Sequence, residues 1–170
     1  MSIFPDDTWT VGTADQDGQP IIVRVRAAMP GEAQRRAHAQ LILIGWPYDG
    51  NTSGLPEPVD SAAMQAFEDT VEAGVVRTGS GVQVASLTGA GHKEWRYYAA
   101  DADAFVAALN ASLEGHPTYP LEIEMFDDAE WHGLQQLLDG LEEDDGEDGE
   151  DDRADEPGAD GGTGNEGDER

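Results

Sequence analysis

One segment of the chain is nearly continuously apolar. Residues 39–46 read Ala-Gln-Leu-Ile-Leu-Ile-Gly-Trp, without the alternation of a half-exposed strand. Such a run is typical of a strand that is covered on both faces. We therefore predict a central strand here, covered on both faces or at least far from a sheet edge.

Five further elements follow this strand. Apolar residues recur every three or four positions in two segments and alternate in three others, which predicts two helices and three strands. In chain order these are helix 60–76, strand 82–87, strand 94–99, a helix from Asp101 or Asp103, and strand 119–125. The resulting β-α-β-β-α-β order predicts an α+β, ferredoxin-like split βαβ sandwich with strand order 4-1-3-2.

Additional elements are predicted on both sides of this unit. Two β-rich runs around Asp15–Gly18 predict an N-terminal hairpin, and Asp127 and Asp128 precede a C-terminal helix with apolar residues up to Leu141. In strand 119–125 we expect Leu121, Ile123 and Met125 to point inward. The predicted divisions are a hairpin extension (1–36), a ferredoxin-like domain (37–141) and a disordered acidic tail (142–170).

The chain is strongly acidic, with a formal net charge of -27. The segment 142–170 holds 15 acids and 2 arginines, a net -13, so residues 1–141 carry the remaining -14. Such a field repels nucleic acids and anionic membranes and favours cationic partners or metal ions. Solubility, or adaptation to a salty cytoplasm, is the alternative explanation.

Several functional classes lack the residues they need. The chain has no cysteine, which excludes disulfides and thiol chemistry. It shows no signal peptide and no apolar run of about 18 residues, so we expect a cytoplasmic protein. No nucleophile elbow, phosphate-binding loop or dinucleotide fingerprint occurs, so we predict neither an enzyme nor a cofactor. The sequence does not predict the oligomeric state.

The most chemically suggestive cluster is acidic. Glu122 and Glu124 are spaced to share one face of a strand, and Asp127 and Asp128 follow closely. Such carboxylates could hold a divalent cation, which would make the protein a metal-binding protein or a metal-dependent hydrolase. Alternatively, the aspartates stabilise a helix N-terminus and the glutamates pair with arginines on neighbouring strands.

Aromatic residues near strand ends offer a surface for a protein partner. RNA stacking on such rings is disfavoured by the negative charge, whereas protein interfaces are enriched in aromatic residues. The candidate interaction surface comprises Trp95, Tyr97, Glu122, Glu124, Asp127, Asp128 and Trp131.

Several short motifs together resemble a bacterial family known as domain of unknown function 695. They are Trp9-x-Val11-Gly12, Pro20 to Arg24, Gly54-Leu55-Pro56, Phe67-Glu68-Asp69, Lys93 to Tyr98, Tyr119 to Ile123, and Asp127 to Trp131. That family is similar to the regulator B proteins that inhibit ribonuclease E. The resemblance implies a non-catalytic, partner-binding and regulatory role, and it carries over no catalytic residue.

Overall fold

Six strands form one antiparallel sheet in the computed structural model, which describes residues 3–147, with side chains as far as Leu141. The strand order is β1-β2-β4-β5-β3-β6, and every neighbouring pair is antiparallel. The mixed α+β prediction is confirmed. The strands are β1 (Trp9–Gln16), β2 (Gln19–Arg26), β3 (Gln40–Pro47), β4 (Val82–Gly89), β5 (His92–Ala99) and β6 (Glu122–Asp127).

Four α-helices accompany the sheet in the described part of the chain. They are α1 (Glu32–Ala37), α2 (Pro58–Val71, continued by a π-helical turn at Glu72–Val76), α3 (Ala102–Ser112) and α4 (His132–Glu147). Helix α1 lies between the predicted hairpin and the predicted central strand; because it buries no residue, it leaves no apolar stripe from which the sequence could predict it. No helix among the described residues is long and apolar enough to cross a membrane.

Helices α2 and α3 cover one face of the sheet. Phe67 and Val71 of α2 and Phe105 of α3 are fully buried against Ile42 and Trp95 from β3 and β5. Each buried side chain of this size contributes roughly 1.5–3 kcal/mol to folding. The nearly continuous apolar run of β3 is therefore explained on this face by contact with two helices.

Helix α4 covers the opposite face. Leu134 of α4 and Trp131, the residue just before the helix, are fully buried in a second cluster with Leu41 of β3 and Val25 of β2. The Trp131 ring stacks on Tyr98 of β5 at a centroid distance of 3.9 Å and an interplanar angle of 6°. The molecule is thus a three-layer arrangement, with the sheet between α2 and α3 on one side and α4 on the other.

The N-terminal hairpin is part of this sheet. Its turn places Asp17 at φ 55° and Gly18 at φ 85°, and the Gly18 amide donates a hydrogen bond to the Asp15 carboxylate. Two successive residues at positive φ are typical of the tight turns that connect hairpins, which explains the Asp-Gly sequence. Because β2 pairs with β4 and buries Val25, the predicted extension 1–36 contributes to the core.

The C-terminal part differs from its prediction in three respects. The last strand lies at the sheet edge, and Ile123 and Met125 are 36% and 47% exposed. The prediction that these two side chains point inward is therefore wrong. Leu121 precedes the strand and is half-buried. The final helix begins at His132, and of the two aspartates predicted before it only Asp128 bonds to its first amides. Its backbone continues to Glu147, past the predicted boundary at 141; the rest of the predicted disordered tail lies outside the described residues.

Candidate functional site

Three aromatic residues of the predicted interaction surface lie in the core. Trp95, Tyr97 and Trp131 are fully buried, so their placement on an exposed surface is wrong. The first two lie on β5, a central strand that α2 and α3 cover, and Trp131 lies beneath α4 on the other face. The elements that pack over these rings therefore determine their exposure, and the sequence alone does not reveal that packing.

Asp128 fastens the last helix to the sheet. Its carboxylate accepts hydrogen bonds from the Tyr98 hydroxyl at 2.6 Å and from the backbone amides of His132 and Gly133 at 2.8 and 2.9 Å. Its side chain is only 8% exposed. Burial tends to raise the pKa of Asp128, but these hydrogen bonds outweigh it and lower the pKa below its usual value. Burial, followed by the bond to Asp128, raises the pKa of Tyr98.

The four predicted carboxylates do not converge on a metal site. Glu122 and Glu124 share the face of β6 that lies on the α4 side, opposite Gly45 and Leu43 of β3. Asp127 is exposed and accepts a hydrogen bond from the Gln40 amide, whereas Asp128 is engaged as described. Within residues 3–147, no group of three or more His, Asp or Glu side chains is arranged to hold a metal ion.

The edge strand β6 exposes apolar side chains on both of its faces. Ile123 and Met125 lie on the α2–α3 face, and Phe126, which is 46% exposed, lies on the α4 face. Among the described strands, β6 pairs only with β3, so its other side presents unpaired backbone groups. This strand, which we call the β6 edge (residues 122–127), combines an open hydrogen-bonding edge with exposed apolar residues.

Acidic residues surround the β6 edge. Glu122 and Glu124 are exposed on one face. On the other face, a shallow cavity of about 340 Å³ lies beside Met125 and is bordered by Asp101 and Asp103 at the start of α3. Asp101 also accepts hydrogen bonds from the amides of Asp103 and Ala104, which fixes its carboxylate at the helix N-terminus. The apolar side chains are therefore flanked by carboxylates on both faces of the sheet.

Comparison with known proteins identifies the family. No curated protein and no solved structure matches the chain significantly. The distant similarity to the ribonuclease E regulators therefore stays a prediction. The profile of a family of unknown function, DUF695, matches residues 7–138, which include all six strands and the start of α4. The match covers well over half of the chain, and the protein belongs to the DUF695 family.

Proposed function

We propose that this protein is a non-catalytic, cytosolic protein-binding module whose β6 edge pairs with an extended, cationic segment of a partner. The observation that carries the proposal is the β6 edge itself, a strand that pairs on one side only and has three exposed large apolar side chains. Exposed apolar strands at sheet edges are normally blunted in monomeric proteins, because they are templates for pairing with another chain.

Strand addition explains how both the backbone and the side chains of β6 would contribute. A partner strand would satisfy the outward amides and carbonyls, which supplies affinity without regard to sequence. Specificity would come from side chains that alternate between the two faces. On one face they would meet Met125 and the adjoining cavity, and on the other Phe126 and the two glutamates.

The charge of the surroundings favours one kind of occupant. Glu122, Glu124 and Asp127 are exposed along the strand, and Asp101 and Asp103 border the cavity beside it. Lysine or arginine side chains at alternate positions of a partner strand share one face and would lie beside the carboxylates of that face, such as Glu122 and Glu124. A second copy of this chain would instead oppose like charges across the new strand pair, which is destabilising.

The arrangement of the central strands supports the finer fold assignment. In chain order, β3, β4, β5 and β6 are the four predicted sandwich strands, and they neighbour one another as β6-β3-β5-β4. This is the expected 4-1-3-2 order, and we assign the unit to the ferredoxin-like class on that basis. The regulatory role implied by the family resemblance fits a module of this kind.

A charge-swap experiment with synthetic peptides tests the proposal. The probes are two capped nine-residue peptides that alternate valine with lysine or valine with glutamate, and titration calorimetry measures their binding. We expect the lysine peptide alone to bind, and its affinity to fall with added salt. The E122K/E124K variant should lose the lysine peptide and gain the glutamate peptide.

The control is a double charge reversal away from the β6 edge. Asp49 in the loop after β3 and Asp139 on α4 are both exposed, and D49K/D139K changes the net charge by the same amount. It should keep its preference for the lysine peptide. Equal loss of the lysine peptide in both double variants would show that net charge alone governs binding, which contradicts the proposal. Absence of binding of either peptide to the unmodified protein would also refute it.

A further inference from the structure

A cavity of about 370 Å³ lies between α2 and the sheet, away from the β6 edge. It falls near the lower end of the roughly 300–1,000 Å³ range of small-molecule sites. Four apolar side chains, from β2, α2 and the loop that precedes α2, line it together with five polar or charged ones. The lining residues are Ile22, Leu55, Pro56, Ser61, Met64, Gln65, Glu68, Thr88 and Lys93.

Lys93, which is the only lysine in the sequence, lines this cavity. Its ammonium lies 5.4 Å from the centroid of the Trp95 ring, and it forms no ion pair within residues 3–147. Burial lowers the pKa of Lys93; the Glu68 carboxylate opposes this shift and the Arg24 guanidinium reinforces it. More of the amine is therefore unprotonated near neutral pH than in an exposed lysine, and the unprotonated amine is the nucleophile.

Glu68 forms no ion pair with Lys93 among the described residues, and one of its carboxylate oxygens is engaged by another contact. The indole nitrogen of Trp95 donates a hydrogen bond to it at 2.6 Å. Glu68 is half-buried on α2, and Trp95 is fully buried on β5, so this bond fixes the carboxylate on the cavity wall. The cavity thus presents an amine and a carboxylate that are close but separate.

We propose that this cavity is a covalent binding site for a small aliphatic aldehyde, which condenses with the Lys93 amine. The Nζ lone pair attacks the carbonyl carbon, and a proton moves from nitrogen to oxygen to give a carbinolamine. Loss of water then gives the imine, with no net change in protons and no redox step. The apolar wall formed by Ile22, Leu55 and Met64 receives the alkyl chain.

The charge of the protein favours a neutral ligand at this amine. A carboxylate or phosphate would approach against a net charge of -27 and would lie beside the fixed carboxylate of Glu68. Both effects are repulsive. An uncharged aldehyde meets neither, and its chain gains from leaving water.

Reductive alkylation tests the proposal on the full chain. Hexanal and sodium cyanoborohydride are applied near neutral pH, and peptide mapping by mass spectrometry follows each adduct. The α-amine is an internal reference, since its pKa of about 7.7–8.0 makes it more reactive than an ordinary lysine. Formaldehyde serves as a probe without an alkyl chain.

We expect hexanal to modify Lys93 roughly tenfold faster than the α-amine, because the cavity buries several methylene groups. Formaldehyde should show no such preference. A tryptophan at Ser61, which lines the cavity, should abolish the hexanal preference, whereas A62W on the exposed side of α2 should retain it. Equal rates at the two amines, or a preference unchanged by S61W, would overturn the proposal.

Discussion

Replacement of Asp128 by alanine should loosen α4 from the sheet. The side chain accepts three hydrogen bonds, one from the Tyr98 hydroxyl and two from the amides of His132 and Gly133 at the start of the helix. The alanine variant removes all three acceptors at once. It also leaves the Tyr98 hydroxyl, which lies on a buried residue, without this partner.

The magnitude follows from the two kinds of bond that are lost. Removal of a helix cap costs about 0.5–2 kcal/mol. A hydrogen bond to a charged group contributes about 1.5–3 kcal/mol. The sum predicts a loss of about 2–5 kcal/mol in the free energy of unfolding, or about 6–15 °C in melting temperature for a domain of this size.

Urea denaturation followed by far-UV circular dichroism measures this loss. The control is D127A, because the neighbouring carboxylate is exposed and accepts only the Gln40 amide; it should cost less than about 1 kcal/mol. A double-mutant cycle of D128A with Y98F, which keeps the ring stacked on Trp131, should give a coupling of about 1 kcal/mol or more. Equal costs for D128A and D127A, or no coupling, would refute the reasoning.

Three further outcomes follow from buried groups. The Tyr97 hydroxyl is buried without a hydrogen-bond partner among the described residues. Y97F should therefore leave the melting temperature unchanged or raise it, and the gain in the free energy of unfolding should be about 1–3 kcal/mol at most. A Cβ on Gly74 in the π-helical turn would lie 1.8 Å from Ser112 Oγ, so G74A should cost about 1–3 kcal/mol in a thermal melt, and G74A/S112G should recover part of it. Folding lowers the pKa of Asp128, so its carboxylate stabilises the fold at pH values above the unfolded pKa of about 3.9. This contribution disappears as the pH falls through the folded pKa. The difference in free energy of unfolding between the unmodified protein and D128N should therefore shrink from pH 7 to about pH 2.

Local patterns in the sequence predict much of the fold. The Asp15–Gly18 turn, the apolar run of β3 and the three- and four-residue spacing of α2 each reflect contacts within a few residues, and the structure contains all three elements. What the sequence does not indicate is the neighbour of each element. Alternation in residues 119–125 is the same for a half-buried strand and for an edge strand, so the exposure of Ile123 and Met125 becomes visible only once the sheet is assembled.

The candidate sites depend even more on distant contacts. The exposed carboxylates Glu122 and Glu124 lie on the same strand face, as their spacing predicts, because a strand has a period of two. Asp128, however, is bonded to a tyrosine 30 positions earlier, and no local pattern marks that pair. Lys93 and Glu68 likewise line the same cavity although they are far apart in the sequence, because α2 packs over the sheet. The sequence shows that Lys93 is the single lysine, but it does not predict that this side chain is partly buried.

The two border strands of the sheet differ in their exposed apolar side chains, and this difference bears on the association of molecules through the proposed β6 pairing. At the far border, the Arg24 and Arg26 guanidinium groups stack on Trp9 at 3.8 and 4.3 Å, and Val11 is its one exposed large apolar residue. β1 is an edge strand as well, but it exposes one large apolar side chain where β6 exposes three. Head-to-tail contacts grow into open filaments only when both ends of a subunit are adhesive. Under the pairing that we propose at β6, a subunit with only one such border accepts one strand, and growth stops there.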